Sequence, residues 1–440
     1  QSERVFELAD AFRKRGAFVV IGGPLVEEST LLKCAEHADA VFRGEAEYTW
    51  PRFLAEFAAG RTSSLYDQKE FVNMEASPAP RFDLLDLDAY STSTIETSRG
   101  CPYSCEFCEI PGRLGRRSRH KTVDQVMAEV RALHALGADS IFFVDDHFIG
   151  DRSFTMRLLR ELAQFVQAIH YSMYFTCQFT INLARDEELL GLLHAAHFRR
   201  VFVGIETPRK ASLASARKRQ NMTGDLIESV GALQAHRSTV WAGIIVGFDS
   251  DDADIFEEQR AFLQQAGIPV AMIGIIQAIP GTPLHERMQA AGRLREIPVS
   301  GVRGTASSLL TSNIAHTAIS DREMLSGFQG LVRDFYDYEP FAQRLMRSLA
   351  ASKTPPPPRR AKVTLREMAV LMRIGRHYLL TGDRRRRRMF ASVMAEVLRH
   401  GLDLEMALMH LVVYKHLRAF YHHLASVEPA ACAETAGQFS

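Results

Sequence analysis

Arg99-Gly100-Cys101-Pro102-Tyr103-Ser104-Cys105-Glu106-Phe107-Cys108 follows directly on a β-branched run, Ser93-Thr94-Ile95-Glu96-Thr97-Ser98, and no other stretch constrains the chemistry as much. Thiolates packed this tightly on one loop are soft ligands for iron, zinc or an iron–sulfur cluster. A chain of 440 residues builds a core without disulfide staples. A structural zinc site wants four protein donors, usually as two separated pairs. Here three cysteines share one loop and no second pair follows, so zinc would need a distant His or Cys to complete it. A cubane on three thiolates leaves one iron open instead. Cys34, Cys177 and Cys432 are scattered and read as ordinary buried thiols.

Outward from this loop, Ser93 to about Leu284 alternates β-branched runs with helical runs of period 3.6, the pattern of a parallel sheet. Six strands are expected: Ser93 to Ser98, Ser140 to Val144, Met173 to Phe179, Arg200 to Ile205, Val240 to Val246 and Val270 to Ala278. Amphipathic helices fall between them at Val123 to Leu136, Phe154 to Ile169, Asp186 to Ala196 and Ile255 to Ala266. The fold class is α/β, a partial six-stranded barrel. Polar or glycine-bearing clusters follow nearly every strand: Asp145-Asp146-His147, Gly204-Ile205-Glu206-Thr207, Gly247-Phe248-Asp249 and Pro280-Gly281-Thr282-Pro283. Parallel barrels build their ligand sites from such loops.

Composition excludes little but bounds the rest. The chain is 46% hydrophobic and 24% charged, with a net charge of +1, which gives no field arguing for nucleic acid. No apolar run approaches the roughly 20 residues of a membrane span, and thiol use fits a reducing cytoplasm. The chain opens on Gln1 inside a helical pattern, with Val5, Leu8, Ala9 and Phe12 on one face, as a piece of something longer would.

The Cys-x3-Cys-x2-Cys spacing, with Phe107 before the last cysteine, resembles the cluster loop of the radical S-adenosylmethionine enzymes. That resemblance implies a [4Fe-4S] cluster on Cys101, Cys105 and Cys108, with S-adenosylmethionine chelating the open iron and yielding a 5′-deoxyadenosyl radical. Glu206 and Asp145 or Asp146 are then candidates for its amino group and ribose hydroxyls, since carboxylates accept charge-assisted hydrogen bonds. The bland alternative for each is a helix N-cap, for which Glu is poorly suited. Gly243-Ile244-Ile245-Val246-Gly247 resembles the family's adenine motif, with Ser250 replacing the acidic residue expected at its end. Phe107 and Gly247 join the expected cofactor-binding residues.

Upstream, a strand from Ala17 to Ile21 runs into Gly22-Gly23-Pro24, and Arg43-Gly44-Glu45-Ala46-Glu47 follows a helix. This resembles the last third of a Rossmann-like cobalamin-binding domain, in which Gly22 and Gly23 let the backbone approach the cofactor. The family's Asp-x-His-x-x-Gly, whose His can ligate cobalt, has no counterpart here, and its place falls before Gln1. Phrases such as Val203-Gly204-Ile205-Glu206-Thr207-Pro208 and Lys218-Arg219-Gln220-Asn221 are similar to the branch containing the hopanoid C-2 methylases.

Three domains are expected: 1–75 a partial cobalamin-binding domain, 88–300 the radical core, and 301–440 an all-helical cap entered through the stiff Pro355 to Pro358 linker. The five arginines Arg384 to Arg388 read as a solvated helix start, or as a contact for anionic lipid at a membrane periphery. The resemblance implies cobalamin-dependent methylation of an unactivated carbon in a small-molecule or lipid substrate, with a flavodoxin or ferredoxin as electron donor. A radical rearrangement or cyclisation without methyl transfer, and a non-catalytic iron–sulfur module, are the alternatives.

Overall fold

The computed structural model describes residues 2–295, 310–354 and 365–426. At the front, β1 (Val20–Ile21), β2 (Ala40–Arg43) and β3 (Leu65–Asp67) pair in parallel in that order. Alternation along β2 sends successive side chains to opposite faces. Val41 therefore joins Phe6, Ala9 and Cys34 from helices Ser2–Arg13 and Leu31–His37, while Phe42 meets Phe53 and Tyr66.

Next come β4 (Ser93–Ile95), β5 (Ser98–Arg99), β6 (Arg119–His120), β7 (Ser140–Phe143), β8 (Tyr174–Phe179), β9 (Phe198–Glu206), β10 (Thr239–Val246) and β11 (Val270–Ile275). Six of them form one all-parallel sheet in the order β11-β10-β9-β8-β7-β4, an open barrel whose two edges, β11 and β4, do not pair. Along β10 and β11 one face of the sheet is buried throughout, and the other mixes buried with half-buried positions, Met272 of β11 being exposed. The helices between them begin where the sequence offers caps. Thr122 and Gln125 form a capping box, and Asp151, Asp186 and Asp225 accept the first free amides of their helices.

The first expected strand, Ser93 to Ser98, is broken. Only Ser93–Ile95 joins the sheet; Ser98–Arg99 leaves it and pairs antiparallel with Arg119–His120. The cause lies at the end of β7, where the buried Asp145 carboxylate takes the amides of Thr97 and Ser98 that a sheet neighbour would have used. The sixth strand ends at Ile275 rather than Ala278. Past it, the Asn313 side chain imitates a strand, accepting from the Ala278 amide at 2.8 Å and donating to its carbonyl at 2.8 Å.

The all-helical tail follows as expected and packs directly on the sheet. Helices Asp321–Phe335, Tyr338–Ala350, Arg384–His400 and Leu404–Ala425 bury Phe328, Phe335, Phe341, Val393 and Tyr414 in the same apolar core as the sheet. Two tyrosines close the β11 edge, whose free backbone groups would otherwise be buried unpaired. Tyr336 donates to the Ala271 carbonyl at 2.6 Å, and the Tyr421 oxygen accepts from the Ile273 amide at 3.0 Å. Tyr421→Phe strands that amide, and denaturant unfolding should show a loss of about 1–3 kcal/mol. The expected boundary at 300 and 301 and the Pro355 to Pro358 linker lie outside the described residues. The five arginines open helix Arg384–His400 as a solvated start: Asp383 accepts from the amides of Arg385 and Arg386 at 3.0 and 3.2 Å, and Arg384, Arg387 and Arg388 are exposed. Among the described residues no helix is long and apolar enough to cross a membrane.

Candidate active site

The loop carrying Cys101, Cys105 and Cys108 lies over the carboxyl ends of the strands and is pinned along its length. Gly100 donates its amide to Asp146 at 2.9 Å, and Cys101 donates to the Gly115 carbonyl at 3.1 Å. Gly100 has φ +96°, and a Cβ there would stand 2.7 Å from the Arg117 carbonyl, so only glycine fits. Mid-loop, the Glu106 amide bonds Ala216 and its carbonyl accepts from Leu284. Its buried carboxylate is clasped in bidentate fashion by Arg287 at 2.6 and 3.1 Å.

All three loop cysteines are free thiols. Burial raises the pKa of Cys101 and pushes Cys108 up to about 11. Gln220 donates to the Cys105 sulfur at 3.3 Å. Among the described residues, no three His, Cys, Asp or Glu side chains gather as the ligands of one ion would. A cubane takes one thiolate at each of three irons and asks for no such convergence, so soft donors on a rigid loop fit an iron–sulfur cluster. Cys34 and Cys177 are fully buried, as expected of core thiols; Cys432 lies outside the described residues.

Glu206 ends β9 in an unusual backbone state, with φ +64° in a non-glycine residue. The register with β10 slips here, pairing Ile244 with Glu206 after Gly243 with Gly204, a bulge that re-aims the carboxylate. Two buried amides brace the strain. Asn221 donates to the carbonyls of Gly204 and Ile205 at 2.8 and 2.9 Å, and Gln259 donates to that of Glu206 at 3.0 Å. The carboxylate meets the ammonium of Lys218, and both are buried. Burial works against the Lys218 charge, but Glu206 and the neighbouring cysteines Cys105 and Cys108 outweigh it and hold its pKa above the ordinary value. Lys218 also lies 5.9 Å from the centroid of Phe107, whose ring meets Phe248 edge-on at 6.1 Å.

Neither aspartate caps a helix; both hold the backbone that leads into the cysteine loop. Asp145 is fully buried and accepts from the Thr97 amide at 2.7 Å, the Thr97 hydroxyl at 3.0 Å and the Ser98 amide. Asp146 holds Gly100, and the helix cap expected nearby falls to Asp151. Burial pushes the Asp145 carboxyl up to about 7, against the donors that favour its charge. Its folded pKa lies above the unfolded one, so the folded chain holds an extra proton between about pH 4 and pH 7. Stability therefore falls as pH rises through that window, by about 4 kcal/mol over roughly 3 units. Asp145→Asn keeps an acceptor for both amides and should flatten this pH dependence in urea melts. Asp145→Ala leaves them unpaired at about 1–3 kcal/mol each.

Gly247 has φ +97°, and a Cβ would press on His316 at 2.9 Å and Met324 at 3.1 Å. The acidic residue missing at Ser250 is replaced one position later. Asp251 accepts from the amides of Gly247 and Phe248 at 2.8 and 3.0 Å and from the Ser212 hydroxyl at 2.6 Å. Tyr103 was also silent in sequence. It stacks on His147, which burial holds neutral with its pKa pushed down to about 4, and its oxygen accepts from Asn182 at 3.3 Å. At the front, Gly22 and Gly23 leave the end of β1, Gly23 with φ +83° and nothing within 4 Å of its Cβ position. Open α/β sheets take ligands at such strand ends, so the glycine pair fits a flat cofactor approaching there.

Residues 95–260 match the model of the Radical SAM superfamily, and residues 282–428 that of a domain of unknown function (DUF4070). An uncharacterized methyltransferase of Synechocystis sp. is 34% identical over 295 residues, 67% of this chain and 55% of that protein. Hopanoid C-2 methylase of Rhodopseudomonas palustris is 36% identical over 231 residues, 52% of this chain and 44% of that protein. The chain thus spans about half the length of these curated relatives. Among solved structures, the cobalamin-dependent S-adenosylmethionine radical enzyme OxsB superposes with a TM-score of 0.57 at 15% identity, over 97% of this chain and 74% of that one. The radical S-adenosylmethionine methyltransferase TsrM from Kitasatospora setae gives 0.56 at 18%, over 70% and 65%. At these identities the likeness is one of fold.

Proposed function

We propose, from the match of residues 95–260 to the model of the Radical SAM superfamily, that the chain cleaves S-adenosylmethionine reductively for cobalamin-dependent methylation of an unactivated carbon in a small-molecule or lipid substrate. The observation that carries this reading is the set of three free thiols on one pinned loop, with a buried Lys218–Glu206 pair beside them. When bound, a [4Fe-4S] cluster supplies the electron that breaks the sulfonium carbon–sulfur bond.

The protein's own share is binding, orientation and exclusion of water. Cys101, Cys105 and Cys108 would hold the cluster, and the Gln220 hydrogen bond to Cys105 would tune its potential, as hydrogen bonds to cluster sulfurs do. The amino-acid end of S-adenosylmethionine carries one amino and one carboxylate group, so Glu206 could accept from the first while Lys218 donates to the second. Asp251 fixes the Gly247–Phe248 backbone, presenting a bare strip of chain to the adenine. Gly22 and Gly23 supply the corresponding bare edge to a corrinoid. A flavodoxin or ferredoxin is the proposed electron donor.

The test is anaerobic reconstitution with iron and sulfide, then incubation with reductant, cobalamin and S-adenosylmethionine. Both 5′-deoxyadenosine and S-adenosylhomocysteine should form. The first without the second would point to rearrangement or cyclisation, and neither would point to a non-catalytic module. Methylated substrates in that assay are to be sought among hopanoid-like lipids and small polycyclic molecules, in keeping with the hopanoid C-2 methylase among the relatives.

A further inference from the structure

We propose that the front unit sets the position of the cysteine loop through Arg99, a positioning residue held by Glu45 and Glu47; this rests on the reading that the loop carries a cluster. The β5–β6 register sets Arg99 directly opposite Arg119. Like charges facing each other across a strand pair repel, so this short ladder is unfavourable by itself.

Glu45 resolves the conflict. Its buried carboxylate lies 2.7 Å from Arg99 Nη1 and 3.0 Å from Arg119 Nη1, bridging the two guanidinium groups. Glu47 takes Arg99 Nη2 at 2.8 Å. The third partner, Glu96, belongs to the loop's own stem and is more than twice as exposed as the other two, at 36% against 7% and 11%. Glu96 also grips Arg99, at 2.8 and 3.1 Å, but it moves with the stem, so only Glu45 and Glu47 tie the loop to the front unit. The carboxylates are themselves fixed, Glu45 by the Val72 amide at 2.8 Å and Glu47 by the Ser77 hydroxyl at 3.1 Å.

Both glutamates lie within three residues of Gly44 just past β2, in the segment whose sequence pointed to a cobalamin-binding fold. Arg99 stands two residues before Cys101. The first three residues of the loop are held in turn by the front unit at Arg99, by Asp146 at Gly100 and by the Gly115 carbonyl at Cys101. A shift at the carboxyl ends of β1 and β2 is thus passed to the first cysteine through two charge-assisted contacts, and the front unit serves the cluster as well as any ligand of its own.

The test uses the full chain with Arg99→Met, Arg99→Lys and the E45Q/E47Q double variant. After reconstitution, iron release to a ferrous chelator should be about 10–100-fold faster in Arg99→Met and E45Q/E47Q, with Arg99→Lys in between. In the metal-free chain, iodoacetamide should alkylate Cys101 faster in the same order while the fully buried Cys177 stays unreactive, as peptide mass spectrometry reads. Unchanged iron release and unchanged Cys101 alkylation overturn the proposal. So does Cys177 reacting along with Cys101, which marks general loosening. If the parent chain takes up no iron, the cluster reading fails, and the alkylation arm alone decides on Arg99.

Discussion

Cys105→Ala, like alanine at Cys101 or Cys108, leaves a folded chain that retains no cluster on anaerobic reconstitution and forms 5′-deoxyadenosine only at background. The expectation follows from the ligand count. On the proposed reading these three thiolates would be the protein's ligands to the cluster, and among the described residues the other cysteines, Cys34 and Cys177, are sealed in separate cores. Folding itself should survive, because the loop is held by contacts that bypass the sulfurs: Arg287 on Glu106, Asp146 on Gly100, and the Ala216 and Leu284 backbone bonds. Iron and sulfide analysis beside a far-ultraviolet dichroism spectrum checks both halves. Normal iron content in any one variant would remove the basis of the functional reading.

Lys218→Met is the second large effect. It leaves the Glu206 carboxylate buried with no countercharge, on a backbone already held in a strained state. Breaking a buried pair from one side costs about 3–5 kcal/mol. Denaturant melts should record a loss of that order in the metal-free chain. Glu206→Gln combined with Lys218→Met removes both charges and should recover most of the loss, since a neutral pair has little to desolvate. Binding of S-adenosylmethionine should not recover in the double variant. If stability and binding returned together, the pair would be a fold element and nothing more.

Much of the architecture was legible in sequence because period-2 and period-3.6 patterns and capping aspartates act locally. The β7 to β11 strands fall within two or three residues of their expected ends for that reason. The failures have long-range causes. The first strand breaks because Asp145, 47 and 48 residues further on, takes its amides. The tail is legible as helical, but its seat on the sheet is not, since Tyr336 and Tyr421 bond to β11 across 65 and 148 residues. Within the site, the cysteines and Glu206 announce themselves by spacing and by residue type after a strand. Lys218 and Gln220 stand out in sequence only as part of a phrase shared with one branch, with no role attached, and Asp251 not at all, since a lysine or glutamine in a turn is ordinary until burial gives it one partner. The displaced acid at Asp251 could have been found by allowing the motif one extra residue.

The four residues Lys218, Arg219, Gln220 and Asn221 concentrate three separate tasks: a countercharge for Glu206, a donor to the Cys105 sulfur, and a tie across the carbonyls of Gly204 and Ile205. They behave as a single cassette whose parts cannot be exchanged piecemeal. A graft between two such proteins would have to move this tetrapeptide together with the kink at the end of its partner strand, and drift at one position would be tolerated only where the other end drifts in step.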